Sequence, residues 1–139
     1  LTKLKPILKK TAVLIVNRDE ALQLLASCRQ EKKELESYNR DIGQTIKRLW
    51  FYGPKLVVVT NDQAGVLTFD GEEMTQQKAI KVKKVIDTTG VGDAFGGTLA
   101  AALIKKLPLK KALLLAARQS ASVLTKQGAQ NGLIKIKLK

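Results

Sequence analysis

The sequence predicts an α/β fold, a three-layer α/β/α sandwich built on a largely parallel sheet. Two runs, Thr11–Val16 (T-A-V-L-I-V) and Leu56–Thr60 (L-V-V-V-T), consist almost entirely of aliphatic and β-branched residues. Such unbroken runs are typical of strands that are buried on both faces. Between them, apolar residues recur at the spacing of an amphipathic helix: Ile42, Ile46, Leu49 and Trp50. Strands that alternate with helices are the pattern of the α/β class.

The remaining elements follow in order along the chain. A helix is predicted from Asp19 to Cys28, and Gly53-Pro54 ends the amphipathic helix. Asp70-Gly71 predicts a hairpin turn between Val66–Phe69 and the region of Met74. We expect one further strand, then an apolar helix that begins at or near Asp93, and a last helix from Leu113 to Thr125. No internal repeat interrupts this order.

Composition excludes several classes of function. With 139 residues and 45% hydrophobic content, the chain has the size of one globular domain, residues 1–139. The single Cys28 cannot form an internal disulfide, and the absence of His excludes a zinc site or a His-based catalytic triad. No apolar run approaches the roughly 20 residues that span a bilayer. We therefore expect a cytoplasmic protein without a membrane partner.

The formal charge of +13 raises the question of an anionic partner. The lysines are scattered over several elements, aromatic residues make up only 4% of the chain, and no nucleic-acid-binding motif is present. Solvated lysine-rich faces are the simpler interpretation. Nucleic acid is therefore not the expected partner.

The stretch Asp87–Phe95 (D-T-T-G-V-G-D-A-F) carries the clearest chemical information. Gly90 and Gly92 leave the backbone open to close approach and let successive N–H groups point at one anion. The helix that follows adds its own unpaired N–H groups and the positive end of its dipole. Asp93 thus places a carboxylate beside a phosphate-sized cradle, an arrangement that suits phosphoryl transfer. The alternative is an aspartate that caps a helix after a glycine-rich turn.

This string resembles the C-terminal signature of the PfkB/ribokinase family of carbohydrate kinases, D-T-x-G-A-G-D-A/T-F, with Val91 where Ala is usual. The resemblance implies a ribokinase-like fold and transfer of the γ-phosphate of ATP to an alcohol group. It implies that Asp93 is the catalytic base. The amides of Gly90, Val91 and Gly92 would form the anion hole.

Asn17-Arg18-Asp19-Glu20, which follows the first strand, is similar to the family's N-x-x-E motif. By resemblance, Asn17 and Glu20 lie near the nucleotide phosphates and organise Mg²⁺ and its waters. Asn and Glu are also ordinary residues at the start of a helix, so a purely structural role stays open.

After the second strand the family usually has T-x-G-x-x-G, a tight turn beneath the ATP phosphates. Thr60 and Gly65 match this pattern, whereas Asp62 stands where Gly is expected. Aspartate tolerates left-handed backbone better than most residues, so we expect the turn to survive. An additional carboxylate near phosphates would weaken nucleotide binding unless a metal or a lysine offsets it.

Val123–Ala129 is similar to the family's V-T-x-x-G-A segment, which lies close to the adenine, so Gly128 would line the nucleotide. A helix C-cap is an equally good explanation of this glycine. In some relatives, residues that correspond to Asp87 and Thr89 bind a monovalent cation, and K⁺ is therefore a further expected ligand.

The resemblance extends from Thr11 to Leu133 but covers only the C-terminal half of the family's pattern. It implies that an N-terminal half, with most acceptor contacts and a β-strand lid, is missing and that the isolated chain is inactive. The acceptor would be a sugar or a nucleoside, and a homodimer is allowed for the full-length protein. The competing hypothesis is a non-catalytic, kinase-like scaffold or nucleic-acid-associated module, which the charge and Asp62 favour.

Overall fold

A computed structural model describes residues 4–28 and 34–135 of the chain. The chain divides into two compact units, one up to Gln76 and the other from Gln77 onward. The described residues of the first unit form a four-stranded sheet with four helices, and those of the second form two long helices with their connecting segments. The predicted α/β class is confirmed.

The strands lie side by side in chain order: β1 (Val13–Asn17), β2 (Leu56–Asn61), β3 (Gly65–Phe69) and β4 (Met74–Gln77). β1 and β2 are parallel, and β2 and β3 are antiparallel. The sheet of the described residues is thus mixed, where the sequence predicted a largely parallel one. The reason is the connection from β2 to β3, the 3₁₀ turn Asp62–Ala64. Such a short connection cannot make the crossover that a parallel neighbour needs.

The first unit contains the helices α1 (Lys5–Leu8), α2 (Arg18–Ala26), α3 (Leu35–Arg40) and α4 (Ile42–Phe51). The second contains α5 (Val91–Ile104) and α6 (Leu109–Val123). The predicted helix at residues 19–28 corresponds to α2, and the amphipathic helix corresponds to α4. For the polar and charged residues 30–40 the sequence allowed a solvent-exposed helix extension or a loop, and residues 35–40 of this stretch form the helix α3.

The core of the first unit forms where α2 and α4 cover the sheet. Leu25 of α2, Ile46 and Leu49 of α4, and Val57 and Val59 of β2 have no exposed surface and belong to one apolar cluster. Complete burial of side chains of this size contributes roughly 1.5–3 kcal/mol each. This packing fixes the carboxyl ends of β1 and β2, where the polar residues Asn17 and Thr60 lie.

In the second unit α5 packs against α6. Leu99 and Ala102 of α5, and Leu113 and Ala116 of α6, have no exposed surface. Residues 78–90, which lie between β4 and α5, form neither a helix nor a strand. The expected strand there is wrong: Val85 and Ile86 are 53% and 55% exposed, so their apolar side chains gain little from sheet burial.

Within the described residues, none of the helices combines the length and the apolar character that crossing a membrane requires.

Candidate functional site

The first unit places two polar side chains at the ends of adjacent parallel strands. Asn17 is the last residue of β1 and lies opposite Thr60 of β2. Asn17 is also the N-cap of α2: its side-chain oxygen accepts a hydrogen bond from the Glu20 N–H at 2.8 Å. In return, Glu20 Oε2 accepts a hydrogen bond from the Asn17 N–H at 2.8 Å. This reciprocal capping box fixes both side chains at the carboxyl edge of the sheet.

The capping box shows that a structural role for the N-x-x-E motif is real. The capping box uses the side-chain oxygen of Asn17 and one of the two carboxylate oxygens of the exposed Glu20. No group of three His, Cys, Asp or Glu side chains among residues 4–28 and 34–135 could hold a metal ion. Mg²⁺ in phosphoryl-transfer enzymes is commonly bound through one or two carboxylates, waters and substrate phosphates. Asn17 and Glu20 fit this water-mediated role, because Glu20 has a second oxygen at the same edge.

The turn from β2 to β3 holds the predicted T-x-G-x-x-G residues. Thr60 of β2 lies opposite Val66, and Asn61, the last residue of β2, lies opposite Gly65, the first residue of β3. Asp62 has a φ of +40°, so aspartate does occupy left-handed backbone where glycine was expected. Gly65 has a φ of +93° and a ψ of −132°, a conformation that is open essentially only to glycine. The turn therefore survives the departure at Asp62.

In the second unit Asp87 organises the turn before α5. Its Oδ1 accepts hydrogen bonds from the Thr89 N–H at 2.9 Å and from the Thr89 hydroxyl at 2.7 Å. Its Oδ2 accepts a hydrogen bond from the Gly128 N–H at 2.7 Å. The hydrogen bonds from the Thr89 N–H, the Thr89 hydroxyl and the Gly128 N–H lower the pKa of Asp87 to about 2. The side chain is consequently a carboxylate at neutral pH.

Helix α5 begins at Val91, two residues before the predicted start, and its N-cap is Gly90 in the left-handed conformation (φ +77°). Glycine has no side chain to cap the helix, and the Val91 N–H makes only a long 3.4 Å bond to the Thr88 carbonyl. The first N–H groups of a helix have no partner within the helix. The start of α5 thus has no side-chain cap, which is compatible with the predicted anion hole.

Asp93 is the third residue of α5 and is exposed to solvent. It is not the N-cap, so the alternative of a capping aspartate does not describe this helix. Gly92 differs from Gly90 in its surroundings: a Cβ atom on Gly92 would have no atom within 4 Å. The open side of the turn is therefore at Gly92, one residue from the Asp93 carboxylate.

The segment 126–132 follows α6 and is called the Gly128 loop below. Gly128 has a φ of +84° and donates its N–H to Asp87. It lies beyond the C-cap of α6, which is Leu124, so the helix C-cap explanation of this glycine is wrong. Gly90 contacts the same loop, because a Cβ on Gly90 would come within 2.8 Å of the Ala129 Cα atom.

Two residues of α6 that the sequence did not single out support this arrangement. The Ser120 hydroxyl donates a hydrogen bond to the carbonyl of Val91, the first residue of α5, at 3.2 Å. Gln119 is buried, and its side-chain oxygen accepts a hydrogen bond from the Ile134 N–H at 3.3 Å. A polar pair in an otherwise apolar helix face was the available signal, but its partners are far away in sequence.

The predicted site residues thus form two groups. In the first unit, Asn17, Glu20, Thr60 and Gly65 lie at or just beyond the ends of β1 and β2. In the second unit, hydrogen bonds and close contacts connect the residues around the start of α5 with the Gly128 loop: Asp87, Thr89, Gly90, Val91 and Gly128. Each group follows the order of the family motifs along the chain.

Known proteins resemble this chain in sequence and in structure. The cytidine kinase of Thermococcus kodakarensis is 29% identical over 126 residues, which cover 90% of this chain and 41% of the relative. The ribokinase of Thermotoga maritima superposes with a TM-score of 0.81 at 25% identity and covers 94% of this chain and 41% of its own. A structure described as a ribokinase II of E. coli with ATP and Mg²⁺ has a TM-score of 0.76 at 23% identity, over 96% and 39% of the two chains.

The chain therefore spans about two fifths of the length of these proteins. Residues 1–136 match the pfkB family carbohydrate kinases, which is nearly the whole of the chain. Together with the ribokinase fold, this match identifies the chain as a member of the pfkB family of carbohydrate kinases.

Proposed function

We propose that the protein to which this chain belongs transfers the γ-phosphoryl group of ATP to a hydroxyl group of a sugar or nucleoside. The observation that carries the proposal is the start of α5. It has a glycine N-cap, open space at Gly92 and an exposed carboxylate at Asp93 within its first turn. Amides that stabilise a transferring phosphoryl group, next to a base that accepts the hydroxyl proton, are the two protein contributions that this reaction needs.

Each residue has a separate role in the proposal. Asp93 accepts the proton of the acceptor hydroxyl, and the backbone N–H groups of Gly90, Val91 and Gly92 hold the negative charge that develops on the transferring group. This division is supported by the geometry, because Asp93 has no capping role and Gly92 leaves its side of the turn open. A metal ion bound to the phosphates would neutralise part of their charge.

The remaining residues would bind the nucleotide. Asn17 and Glu20 orient waters around Mg²⁺, and Thr60, Gly65 and Gly128 line the nucleotide. The capping box supports the first assignment, since it holds both side chains at the carboxyl edge of the sheet. The positive φ angles of Gly65 and Gly128 support the second, because glycine in such backbone leaves no side chain between the main chain and a ligand.

A monovalent cation at Asp87 and Thr89 is a further part of the proposal. Three hydrogen bonds already occupy the Asp87 carboxylate, and the Thr89 hydroxyl points its proton at Asp87. A carboxylate offers about four acceptor positions, so one position on Oδ2 is left for K⁺. The test is the activity in KCl compared with N-methylglucamine chloride at equal ionic strength.

The acceptor class follows from the relatives, which are named ribokinase and cytidine kinase. We propose that a preceding N-terminal half supplies the acceptor contacts and that the natural protein, a homodimer in the cytoplasm, is the active form. Positioning of two reactants accounts for roughly 7–11 kcal/mol of a reaction barrier. Residues 1–139 alone should therefore bind ATP but phosphorylate sugars hardly at all.

The proposal is tested first by binding. ATP with Mg²⁺ should raise the melting temperature of the natural protein, because ligand at about 100 times its Kd adds roughly 2.7 kcal/mol to the free energy of unfolding. The shift should decrease when EDTA replaces Mg²⁺. The same protein is then assayed for ADP release with a panel of pentoses, hexoses, hexose phosphates and nucleosides. No melting shift at millimolar ATP, together with no ADP release on the whole panel, would refute the proposal.

A further inference from the structure

A single carboxylate connects two parts of the second unit that are 41 residues apart in the sequence. Oδ1 of Asp87 accepts two hydrogen bonds from Thr89, and Oδ2 accepts one from the Gly128 N–H at 2.7 Å. We infer that Asp87 is a positioning residue, which holds the Gly128 loop against the turn that leads into α5 and so aims the amides of Gly90, Val91 and Gly92. The inference rests on the proposed function, because it concerns the same anion hole.

The Gly128 loop is anchored at two further points. A Cβ on Gly90 would lie 2.8 Å from the Cα atom of Ala129, so the turn and the loop touch through their backbones. A Cβ on Gly132 would lie 2.5 Å from the Val123 Cα atom at the end of α6. The loop is thus fixed to α6 at one end, and the Asp87 carboxylate and Gly90 fix its middle to the turn.

This arrangement affects the anion hole through the backbone of residues 88–90. The two hydrogen bonds from Thr89 define the turn, and the hydrogen bond from Gly128 fixes where that turn lies. Catalytic groups must be held within about 0.5 Å of their productive geometry, and a displacement of 1 Å lowers turnover by about 10²-fold. A change of Asp87 should therefore act on kcat through the backbone of this turn.

The test is Asp87→Asn in the natural protein. An Asn side chain has one acceptor atom, so one of its two ends presents N–H groups to a backbone N–H, whichever way the amide is turned. We expect kcat to fall about 10–100-fold, which is the range for residues that orient a site through others. Asp70→Asn is the matched control, because Asp70 also accepts two backbone N–H bonds, from Glu72 at 2.9 Å and from Glu73 at 2.8 Å, in a turn of the first unit. Its kcat should stay within twofold of that of the unchanged protein.

A second measurement does not depend on activity. Amide hydrogen exchange at Gly128 and Thr89 should become faster in Asp87→Asn and stay unchanged in Asp70→Asn. If Asp87→Asn does not fold, Thr89→Val takes its place, since it removes only the 2.7 Å hydroxyl bond and should lower kcat by a smaller factor. Asp87→Asn, or Thr89→Val in its place, is assayed with Asp70→Asn in KCl and in N-methylglucamine chloride.

The outcomes separate this inference from the proposed function. If the unchanged protein phosphorylates an acceptor and Asp87→Asn retains the kcat of Asp70→Asn, the positioning role is refuted and the proposed function stands. A loss of kcat that is present in KCl but disappears without K⁺ would also refute it, because Asp87 would then act only through the proposed cation and not through its hydrogen bonds. If the unchanged protein binds no ATP, the proposed function fails. If, in addition, amide exchange at Gly128 is the same in Asp87→Asn as in the unchanged protein, the inference is overturned as well.

Discussion

Gly90 and Ala129 lie closer together than any side chain at position 90 would allow, since a Cβ atom on Gly90 would be 2.5 Å from the Cβ of Ala129. Gly92, two residues later, has open space in the same test. The structure therefore explains the two glycines of the signature differently. Gly90 is needed for the left-handed turn and for contact with the Gly128 loop, whereas nothing in the described structure requires a glycine at position 92.

Gly92→Ala and Gly90→Ala should consequently behave differently. We expect Gly92→Ala to leave the melting temperature unchanged or slightly higher, because alanine is the better helix former, by up to about 1 kcal/mol. Its kcat should fall tenfold or more if phosphate approaches this turn, because the added methyl group would displace the phosphate from the amides, and a displacement of about 1 Å can lower turnover about 10²-fold. Gly97→Ala, on the same helix and equally open, is the control and should be active. Full activity of Gly92→Ala would argue against an anion hole here.

Gly90→Ala should be mainly a stability defect. Left-handed backbone costs a non-glycine residue roughly 1–2 kcal/mol, and overpacking adds typically 1–3 kcal/mol. We therefore expect chemical denaturation of Gly90→Ala to give a free energy of unfolding about 2–5 kcal/mol lower than that of the unchanged protein. A Gly90→Ala protein that is as stable as the unchanged one would contradict the close contact with Ala129.

Asp93→Asn tests the proposed base. The amide keeps the shape of the side chain but cannot accept the hydroxyl proton, so kcat should fall about 10²–10⁴-fold. ATP affinity should be unchanged or slightly higher, because one negative charge near the phosphates is gone. Asp19→Asn, an acid in the first turn of α2, is the control for a helix-dipole effect of about 0.3–1 kcal/mol. If Asp93→Asn has near-normal turnover and its melting temperature changes only as much as that of Asp19→Asn, Asp93 is excluded from the mechanism.

Asp62 combines strained backbone (φ +40°) with an additional charge in the turn whose Thr60 and Gly65 are proposed to line the nucleotide. Asp62→Gly relieves both, and Asp62→Asn removes only the charge, because asparagine also tolerates left-handed backbone. If the carboxylate repels phosphate, both variants should bind ATP about two- to tenfold more tightly in calorimetry, which corresponds to roughly 1 kcal/mol of Coulomb repulsion. Lys106→Gly is the backbone control, since Lys106 is left-handed too (φ +57°) and follows α5. Equal affinity in all the variants would show that Asp62 does not face the nucleotide.

The lowered pKa of Asp87 gives a pH dependence with a definite sign. Its value is about 2 in the folded protein against 3.8 for an ordinary aspartate, and hydrogen bonds donated by Thr89 and Gly128 are the cause. The contribution of Asp87 to stability is thus complete above pH 4 and is lost as the pH falls through 2. The amide proton of Gly128 should report the same titration in NMR spectra, with a midpoint near 2. A midpoint near 4 would mean that the Asp87–Gly128 hydrogen bond does not form in solution.

Much of the first unit could be predicted because its signals are local. The apolar runs at Thr11–Val16 and Leu56–Thr60 gave β1 and β2, and the periodicity of Ile46 and Leu49 gave α4. The position of Asn17 followed from the end of its strand. The tight turn between Thr60 and Gly65 was predicted as well, but the antiparallel β3 that so short a connection requires, and hence the mixed sheet, was not. The absence of a strand before α5 depends on tertiary burial, which Val85 and Ile86 lack.

The second unit was harder to predict because its decisive contacts are distant in sequence. The motif indicated Asp87, Gly90 and Gly128 separately, but it could not indicate that Asp87 accepts a hydrogen bond from Gly128. Helix C-cap and nucleotide contact were equally good explanations of Gly128 until the end of α6 was located at Val123. The contributions of Ser120 and Ala129 have no local signal.

Val57–Val59 and the turn that follows them differ in burial, and this difference decides which of these positions tolerate mutation. The three valines have no exposed surface, whereas Asp62 and Gln63 are exposed and support no part of the core. Mutations in this turn can therefore accumulate without unfolding the protein. A library randomised at these two positions should be rich in stable variants, so that selection in the laboratory can vary the turn that is proposed to bind the nucleotide while the core remains intact.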